Sequence, residues 1–162
     1  MAGCDGGLTG LWFDGQKYFA TTLPADVEAE ELPVFAQVRE WLDCYFSGRN
    51  PGFLPALHLE ATPFRLAVWN ILKEIPYGKV ITYKNIAERI ARETGVKRMS
   101  PQAVGGAVGH NPVSIIIPCH RVVGENGSLT GYAGGIDKKM ALLALEKVDM
   151  ARLFVPRKGT AL

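Results

Sequence analysis

Cysteine is scarce in this chain, which has three cysteines in 162 residues: Cys4, Cys44 and Cys119. An odd and sparse count argues against a disulfide framework. No pair has the C-x-x-C spacing that is typical of a structural zinc site. We therefore expect neither a disulfide framework nor a metal site.

Long apolar runs are also missing, since none reaches the roughly 18 residues of a membrane span. The N-terminus has neither the basic nor the apolar region of a signal peptide. We expect no membrane association and a cytoplasmic location, or a nuclear one in a eukaryote. The net charge of +2 neither requires nor excludes a nucleic-acid partner, because a local basic patch matters more than the total.

The first part of the chain predicts a small sheet and one helix. Residues 8–13 and 17–20 have the pattern of two short strands around the turn residues Asp14-Gly15. Apolar residues at helical spacing predict a helix over residues 33–47. Residues 57–59 are a candidate for another short strand.

The second part begins at Thr62-Pro63, an N-cap followed by proline at the first helical position. Thr82 can cap a second helix, and Ser100-Pro101 starts a third helix that ends near Val108. Two short helices across a turn are consistent with a helix-turn-helix motif. Such a pairing is also common in proteins that do not bind DNA.

Residues 113–117 predict a short buried strand or extended segment that leads into Pro118-Cys119-His120-Arg121. A glycine-rich loop follows over residues 124–135, and a last helix is predicted from about residue 137 to residue 148. The residues of this helix that we expect to be buried are Met140, Leu143 and Ala144.

Cys119 is the candidate reactive residue. A lone buried cysteine is usually an inert small hydrophobe, and that interpretation stays open on local grounds. A thiol with a pKa of about 8.5 becomes a competent nucleophile when a nearby imidazole accepts its proton. Because adjacent residues in an extended segment point to opposite sides, His120 would reach Cys119 through a water or a turn.

The helix that follows Pro101 is rich in small residues, including Ala103, Gly105 and Gly106. Glycine costs roughly 1 kcal/mol relative to alanine inside a helix, so this composition needs a reason. Close packing against another helix is one explanation. Close approach to a narrow partner such as a DNA minor groove is the other.

In order and spacing, these motifs resemble the O6-alkylguanine-DNA alkyltransferase family, also called methylated-DNA–protein-cysteine methyltransferases. The similarity runs almost continuously from Thr62 to Glu146. Its main blocks are Thr62-Pro63-Phe64, Ile75-Pro76-Tyr77-Gly78-Lys79, Ala103-Val104-Gly105-Gly106-Ala107-Val108, Asn111-Pro112, Ile117-Pro118-Cys119-His120-Arg121-Val122-Val123, Thr130-Gly131-Tyr132-Ala133-Gly134-Gly135 and Leu143-Ala144-Leu145-Glu146.

The resemblance implies that Cys119 accepts the alkyl group and that His120, held by Glu146, deprotonates Cys119 through a bridging water. Asn111 would tie the active-site turn together. Without the resemblance, Glu146 would be taken for a solvated helix carboxylate and Asn111 for a turn residue before Pro112.

By the same resemblance, Tyr83 would donate a proton or a hydrogen bond to the leaving guanine, and Lys139 would assist the base or the tyrosine. The glycine-rich loop and the segment before it would line the guanine pocket. The backbone of Val122, in that segment, and of Ala133, in the loop, would supply hydrogen bonds to the base. The pocket residues implied are Tyr132, Val122, Ala133 and Gly134.

The resemblance further implies that the partner is double-stranded DNA and that the damaged guanine is flipped out of the stack. The small-residue helix would lie in the minor groove, and basic residues would bind phosphates or simply form a solvated face. The residues implied in DNA binding are Gln102, Ala103, Gly105, Gly106, Lys84, Arg98 and Arg121. Gln102 departs from the family pattern, in which an arginine replaces the flipped base, so we expect weaker binding or slower flipping.

The predicted fold class is α/β, of the α+β kind. Residues 1–60 would form a small sheet-plus-helix domain, by resemblance a reduced RNase H-like unit. Residues 61–150 would form a mostly helical domain with a winged helix-turn-helix-like motif, and residues 151–162 a tail. Family members carry an extra strand pair before the segment that matches residues 7–11. We therefore expect either a shortened sheet with an exposed edge or a sequence taken from a shortened gene model.

The predicted function is a single, irreversible transfer of an alkyl group from O6-alkylguanine to Cys119, by a monomer that needs no cofactor. O4-alkylthymine is a further candidate substrate. Three alternatives are weaker. A non-catalytic binder of alkylated DNA that recruits repair factors would lack the acceptor cysteine, a helix-turn-helix regulator would carry an effector domain, and a cysteine hydrolase would need an oxyanion site that no motif marks.

Overall fold

The computed structural model describes residues 1–157. Strands β1 (Ala2–Cys4) and β2 (Gly7–Gly10) pair antiparallel at the N-terminus. Strand β2 also meets the segment predicted as a short strand at residues 57–59, through a parallel bridge between Leu8 and Leu57. The expected small N-terminal sheet is therefore present, and one of its strands comes from the residues that precede Gly7.

The strand predicted over residues 17–20 was wrong. The segment forms successive turns after the expected turn at Asp14-Gly15. Tyr18 and Ala20 have φ angles of +62° and +54°, which a strand does not allow. The backbone N–H of Lys17 instead donates to the carbonyl of Ala133 at 3.0 Å, so a tertiary contact outweighs the local strand propensity.

Helix α1 (Pro33–Phe46) confirms the helix predicted over residues 33–47. It buries one face through Val34, Val38, Trp41 and Tyr45, which follow the spacing of an amphipathic helix. This face packs into the same apolar core as the buried residues of the second part.

Three further helices begin where the caps predict. Helix α2 (Pro63–Lys73) has the Thr62 side chain accepting from a backbone N–H, and helix α3 (Tyr83–Thr94) has a full capping box at Thr82. Helix α4 (Pro101–Gly109) is capped by the hydroxyl of Ser100. Each cap satisfies backbone donors that have no partner inside the helix.

The segment 113–117 is buried, as predicted, but it is not a strand. Ile115 has a φ of +71°, and the Ile116 N–H bonds back to Ser114 at 2.9 Å. The chain then forms a short 3₁₀ turn, Cys119–Arg121, and strand β4 (Val122–Val123), which pairs parallel with strand β3 (Ile81–Thr82). These turns place Cys119 at the first position of the 3₁₀ turn.

Helix α5 (Ile136–Leu145) is shorter than predicted and presents a different face. Leu143 is buried, as expected, but Met140 is 38% exposed and Ala144 is exposed as well. Lys139 and Leu142 are buried instead. The prediction assumed that the apolar residues face inward, whereas two backbone carbonyls bind the Lys139 ammonium inside the protein.

The chain after α5 packs against the glycine-rich loop. The backbone of Phe154 pairs with Gly127 and Leu129, at 3.2 and 2.8 Å. The last residues of the predicted tail, 158–162, lie outside the described residues. Within residues 1–157, none of the helices combines the length and the apolar character needed to cross a bilayer.

Candidate active site and DNA-binding surface

Cys119 lies at the start of the 3₁₀ turn and is only 5% exposed. The Asn111 side chain holds this turn, because its Nδ2 donates to the Ile117 carbonyl at 2.8 Å and to the Cys119 Sγ at 3.1 Å. Burial raises the pKa of the Cys119 thiol, while Asn111 and the Lys139 charge act in the opposite direction. The resting form is therefore the thiol, in a place that offers a donor to the thiolate.

His120 is fully buried, and its Nε2 lies 2.7 Å from Oε1 of Glu146. Burial lowers the pKa of His120, against the opposing effect of Glu146. A neutral imidazole that donates from Nε2 keeps a lone pair on Nδ1. That Nδ1 makes no hydrogen bond to any of the described residues, so it is available as a base.

Glu146 is 2% exposed and is surrounded by donors. Besides His120, it accepts from Arg121 Nε and Nη2, both at 2.9 Å, from the Tyr45 hydroxyl at 2.7 Å and from the Gly78 N–H at 3.1 Å. Burial alone would raise its pKa, but the hydrogen bonds from His120 and Arg121 hold it at about 2. Glu146 is therefore a buried carboxylate with a fixed orientation.

Arg121 does not lie on a DNA-binding surface, which corrects the sequence prediction. It is 8% exposed, and its remaining Nη1 donates to the Ile75 carbonyl at 2.6 Å. Its side chain turns inward because the buried charge of Glu146 needs a counter-charge, and a bidentate guanidinium satisfies a carboxylate better than water can at this depth.

Tyr45 is the site residue that sequence reasoning missed. It occupies a buried position of α1, where the helical spacing assigns it to the core. The available signal was its hydroxyl, because a buried tyrosine usually finds a hydrogen-bond partner. The partner, Glu146, is 101 residues away in the sequence, so no local pattern could identify it.

Tyr83 and Lys139 both bind the glycine-rich loop. The Tyr83 hydroxyl lies 3.1 Å from the Thr130 carbonyl and 3.3 Å from that of Gly131. Lys139 Nζ donates to the carbonyls of Val122, at 2.6 Å, and Thr130, at 2.9 Å. Burial lowers the pKa of Lys139 to about 8 and raises that of Tyr83, so the tyrosine keeps its proton.

The predicted pocket residues after Gly131 are packed together. Tyr132 is 4% exposed and stands edge-on to Phe13, with ring centroids 6.4 Å apart. A Cβ at Gly134 would come within 2.8 Å of the Tyr132 ring and 3.0 Å of the Phe13 ring. The carbonyls of Val122 and Ala133 already accept one hydrogen bond each, from Lys139 and Lys17.

The DNA-binding candidates other than Arg121 lie on a separate, exposed surface. Gln102, Ala103 and Gly106 are exposed on α4, and a Cβ built at Gly106 meets open space. At Gly105, a Cβ would reach only ordinary contact with the Tyr83 ring, at 3.8 Å. Close helix packing therefore does not explain these glycines, and the approach of a narrow partner stays a prediction.

A basic groove of about 640 Å³ lies beside this helix, between α3 and the connector to α4. Its cationic side chains are Lys84, Arg92, Lys97 and Arg98. Lys84 also pairs with Glu125 on the surface. Among residues 1–157 there is no group of three His, Cys, Asp or Glu side chains that could hold a metal ion.

The segment that contains this site matches a known protein family. Residues 63–148 match the family model described as 6-O-methylguanine DNA methyltransferase, DNA binding domain. The chain is similar to the methylated-DNA–protein-cysteine methyltransferase of Haemophilus influenzae, with 43% identity over 87% of this chain and 75% of the relative. It is also similar to the inducible enzyme of that name in Bacillus subtilis, with 47% identity over 87% of this chain and 74% of the relative.

Among solved structures, the chain is similar to Mycobacterium tuberculosis OGT, crystallised in complex with DNA. The TM-score is 0.76 and the identity 41%, over 90% of this chain and 84% of that chain. The family match covers the segment with Cys119, His120 and Glu146, and the relatives extend the similarity to the N-terminal part. The chain therefore belongs to the 6-O-methylguanine DNA methyltransferase family.

Proposed function

We propose that this protein repairs DNA by transferring an alkyl group from O6 of guanine to the Sγ of its own Cys119, once per protein molecule. The observation that carries the proposal is the buried arrangement of Cys119, neutral His120 and anionic Glu146. A thiol, a base with a free lone pair and a carboxylate that orients the base are the parts of an activated nucleophile.

The reaction starts with the loss of the thiol proton from Cys119. His120 Nδ1 accepts this proton through a bridging water, and the imidazolium that forms is stabilised by the carboxylate of Glu146. The Asn111 amide, 3.1 Å from Sγ, then donates to the thiolate. The positive charge of Lys139 favours the thiolate as well.

The thiolate displaces guanine from the alkyl carbon. A carbon–sulfur bond forms while the bond from that carbon to O6 breaks, and the guanine takes the electron pair together with a proton. Tyr83 is the proposed donor of this proton, with Lys139 assisting, and because burial raises its pKa, Tyr83 takes a proton back from solvent when the base leaves. His120 later releases the thiol proton to solvent. Because a thioether is a poor leaving group, the alkylated protein does not react again.

Substrate entry requires the loop to move, since the thiol is only 5% exposed. The damaged base leaves the DNA stack and enters between Tyr83 and the loop residues Tyr132–Gly134. The Tyr83 hydroxyl then gives up its hydrogen bonds to the carbonyls of Thr130 and Gly131 and bonds to the base instead. Helix α4 would enter the minor groove with Gln102, Ala103, Gly105 and Gly106, while Lys84 and Arg98 contact phosphates.

The test is the fate of the DNA base. A duplex with O6-methylguanine is incubated with a molar excess of base over protein, and its nucleosides are then quantified. We expect one guanine restored per protein molecule and then no further change. Cys119→Ser should restore none, whereas the matched control Cys44→Ser should behave as wild type. Tight binding without restored guanine would refute the proposal and favour a non-catalytic binder of alkylated DNA.

A further inference from the structure

We propose that Tyr45 is a positioning residue that sets the basicity of His120 through Glu146. This inference rests on the function proposed above. Tyr45 belongs to α1, outside the segment 63–148 that matches the family model. The proposal therefore gives the N-terminal part of the chain a direct influence on the chemistry at Cys119.

The geometry places the Tyr45 hydroxyl at the junction of the His120–Glu146 pair. It donates to Glu146 Oε1 at 2.7 Å, and the same oxygen accepts from His120 Nε2 at 2.7 Å. The hydroxyl oxygen is also 3.3 Å from that Nε2. The Tyr45 ring stands edge-on to the imidazole, with centroids 6.4 Å apart, so packing as well as hydrogen bonding fixes the contact.

The hydroxyl can act only as a donor toward Glu146. Burial and the neighbouring carboxylate raise the pKa of Tyr45, so the proton stays on its oxygen. Each donor to a carboxylate oxygen spreads the negative charge of that oxygen. With Tyr45 in place, Oε1 therefore attracts the imidazole proton less strongly. Without the hydroxyl, His120 becomes more basic.

The other groups that face His120 do not change when this hydroxyl is removed. Arg121, in the same turn, and Lys139, on α5, disfavour the imidazolium, and Glu146 favours it. Tyr132, from the loop, faces the ring edge-on with centroids 6.4 Å apart. A shift in His120 titration after removal of the Tyr45 hydroxyl therefore reports the contacts of that hydroxyl, and a Glu146→Gln background separates its effect through Glu146 from its direct 3.3 Å contact with Nε2.

The experiment compares Tyr45→Phe with Tyr77→Phe. Tyr77 is a close control, because its ring packs edge-on to Tyr45 at 6.0 Å while its hydroxyl donates to the backbone carbonyl of Leu145 at 3.3 Å. The rate of one methyl transfer from an O6-methylguanine duplex is measured against pH, and the nitrogen shifts of the His120 imidazole are titrated in the DNA-free protein.

We expect Tyr45→Phe to move the acid limb of the rate profile and the imidazole titration upward by roughly half a pH unit. Tyr77→Phe should leave both in place. Equal shifts in the two variants, or no shift in Tyr45→Phe, would overturn the proposal. In a Glu146→Gln background the Tyr45→Phe shift should disappear, and its persistence would show that Tyr45 does not act through Glu146.

Two further features keep the test decisive. The imidazole titration needs no methyl transfer, so a wild-type protein that transfers nothing refutes the proposed function while the Tyr45 contact is still measured. If the Tyr45→Phe protein unfolds under the titration conditions, Tyr45 is replaced by 3-fluorotyrosine. This residue keeps the shape of the tyrosine side chain, and its more acidic hydroxyl is a stronger hydrogen-bond donor to Glu146. We then expect a downward shift, and an unchanged or upward shift would overturn the proposal.

Discussion

Around Glu146, charged and polar side chains are buried and every carboxylate oxygen has donors, whereas the cationic side chains on α3 and on the connector to α4, such as Lys84 and Arg98, stand in solvent. Arg121 and Glu146 are 8% and 2% exposed, while Lys84 and Arg98 are exposed. Removing one partner of a buried ion pair costs about 3–5 kcal/mol, but an exposed pair contributes only about 0–1 kcal/mol.

The difference shows two ways of using charge. The buried groups are oriented before DNA arrives, so the reaction needs little rearrangement of its own dipoles. In the proposed complex the surface groups would exchange their hydration for phosphates, so they would contribute affinity that depends on salt. A mutation in the first region should therefore affect folding and chemistry together, and a mutation in the second should affect DNA binding alone.

Glu146→Gln should have the largest effect. It leaves the Arg121 charge buried without a counter-charge, so we expect the free energy of unfolding to fall by about 3–5 kcal/mol. We also expect transfer to slow by on the order of 10²-fold or more. Urea denaturation and a single-turnover rate measure the two effects. The exposed control Glu40→Gln, on α1, should change neither, and a Glu146→Gln protein with wild-type stability would contradict the buried ion pair.

Acid should destabilise the native state in two stages. The pKa of His120 lies below its ordinary value of 6.5, so the unfolded chain binds a proton first and the free energy of unfolding falls as the pH drops below that value. The pKa of Glu146 lies at about 2 against an ordinary 4.5, so its stabilisation, present above 4.5, is lost as the pH falls toward 2. Urea titrations at several pH values measure both stages, and a free energy that rises on acidification would contradict this sign.

Arg121→Met and Arg98→Met form a matched pair that separates the two regions. Arg121→Met should lower the free energy of unfolding by about 3–5 kcal/mol, because Glu146 loses its counter-charge. Arg98→Met should change the free energy of unfolding by less than about 0.5 kcal/mol. It should also make the slope of log K for DNA binding against log salt concentration shallower by about 0.9. If Arg121→Met instead reduced the salt slope without loss of stability, the inward orientation of Arg121 would be wrong.

Gln102→Arg should have the smallest effect, and it should be a gain. Gln102 is exposed near the start of α4, so a longer cationic side chain fits there without repacking. An arginine can fill the gap left by the flipped base and also attract phosphates, so we expect tighter duplex binding and faster transfer. Titration with an O6-methylguanine duplex and the single-turnover rate test this. Equal affinity and rate in the two proteins would show that Gln102 serves equally well.

The sequence predicted those elements that depend on local chemistry. Proline and hydroxyl caps predicted the starts of α2, α3 and α4, since capping involves only neighbouring residues. Distant partners decided the rest. The Lys17 N–H donates to the Ala133 carbonyl, and its segment forms turns where a strand was predicted. Arg121 turns inward to the carboxylate of Glu146, which is 25 residues away in the sequence.

The residue roles, the domain boundaries at 60 and 150, the monomeric state and the cellular location stay predictions. For the roles, the structure supplies the distances on which they depend. His120 and Glu146 are in contact as the resemblance implied, and Asn111 bonds to the active-site turn at Ile117 and Cys119. Tyr45 could be added only after the fold had brought α1 against the end of α5.

The most direct test of the central claim asks which cysteine carries the alkyl group. The protein is reacted with a duplex whose O6-methylguanine bears an isotopically labelled methyl group, and its peptides are mapped by mass spectrometry. We predict that the label lies on the peptide with Cys119 and is absent from those with Cys4 and Cys44. Label on Cys4 or Cys44, or a labelled protein in the Cys119→Ser variant, would contradict the account.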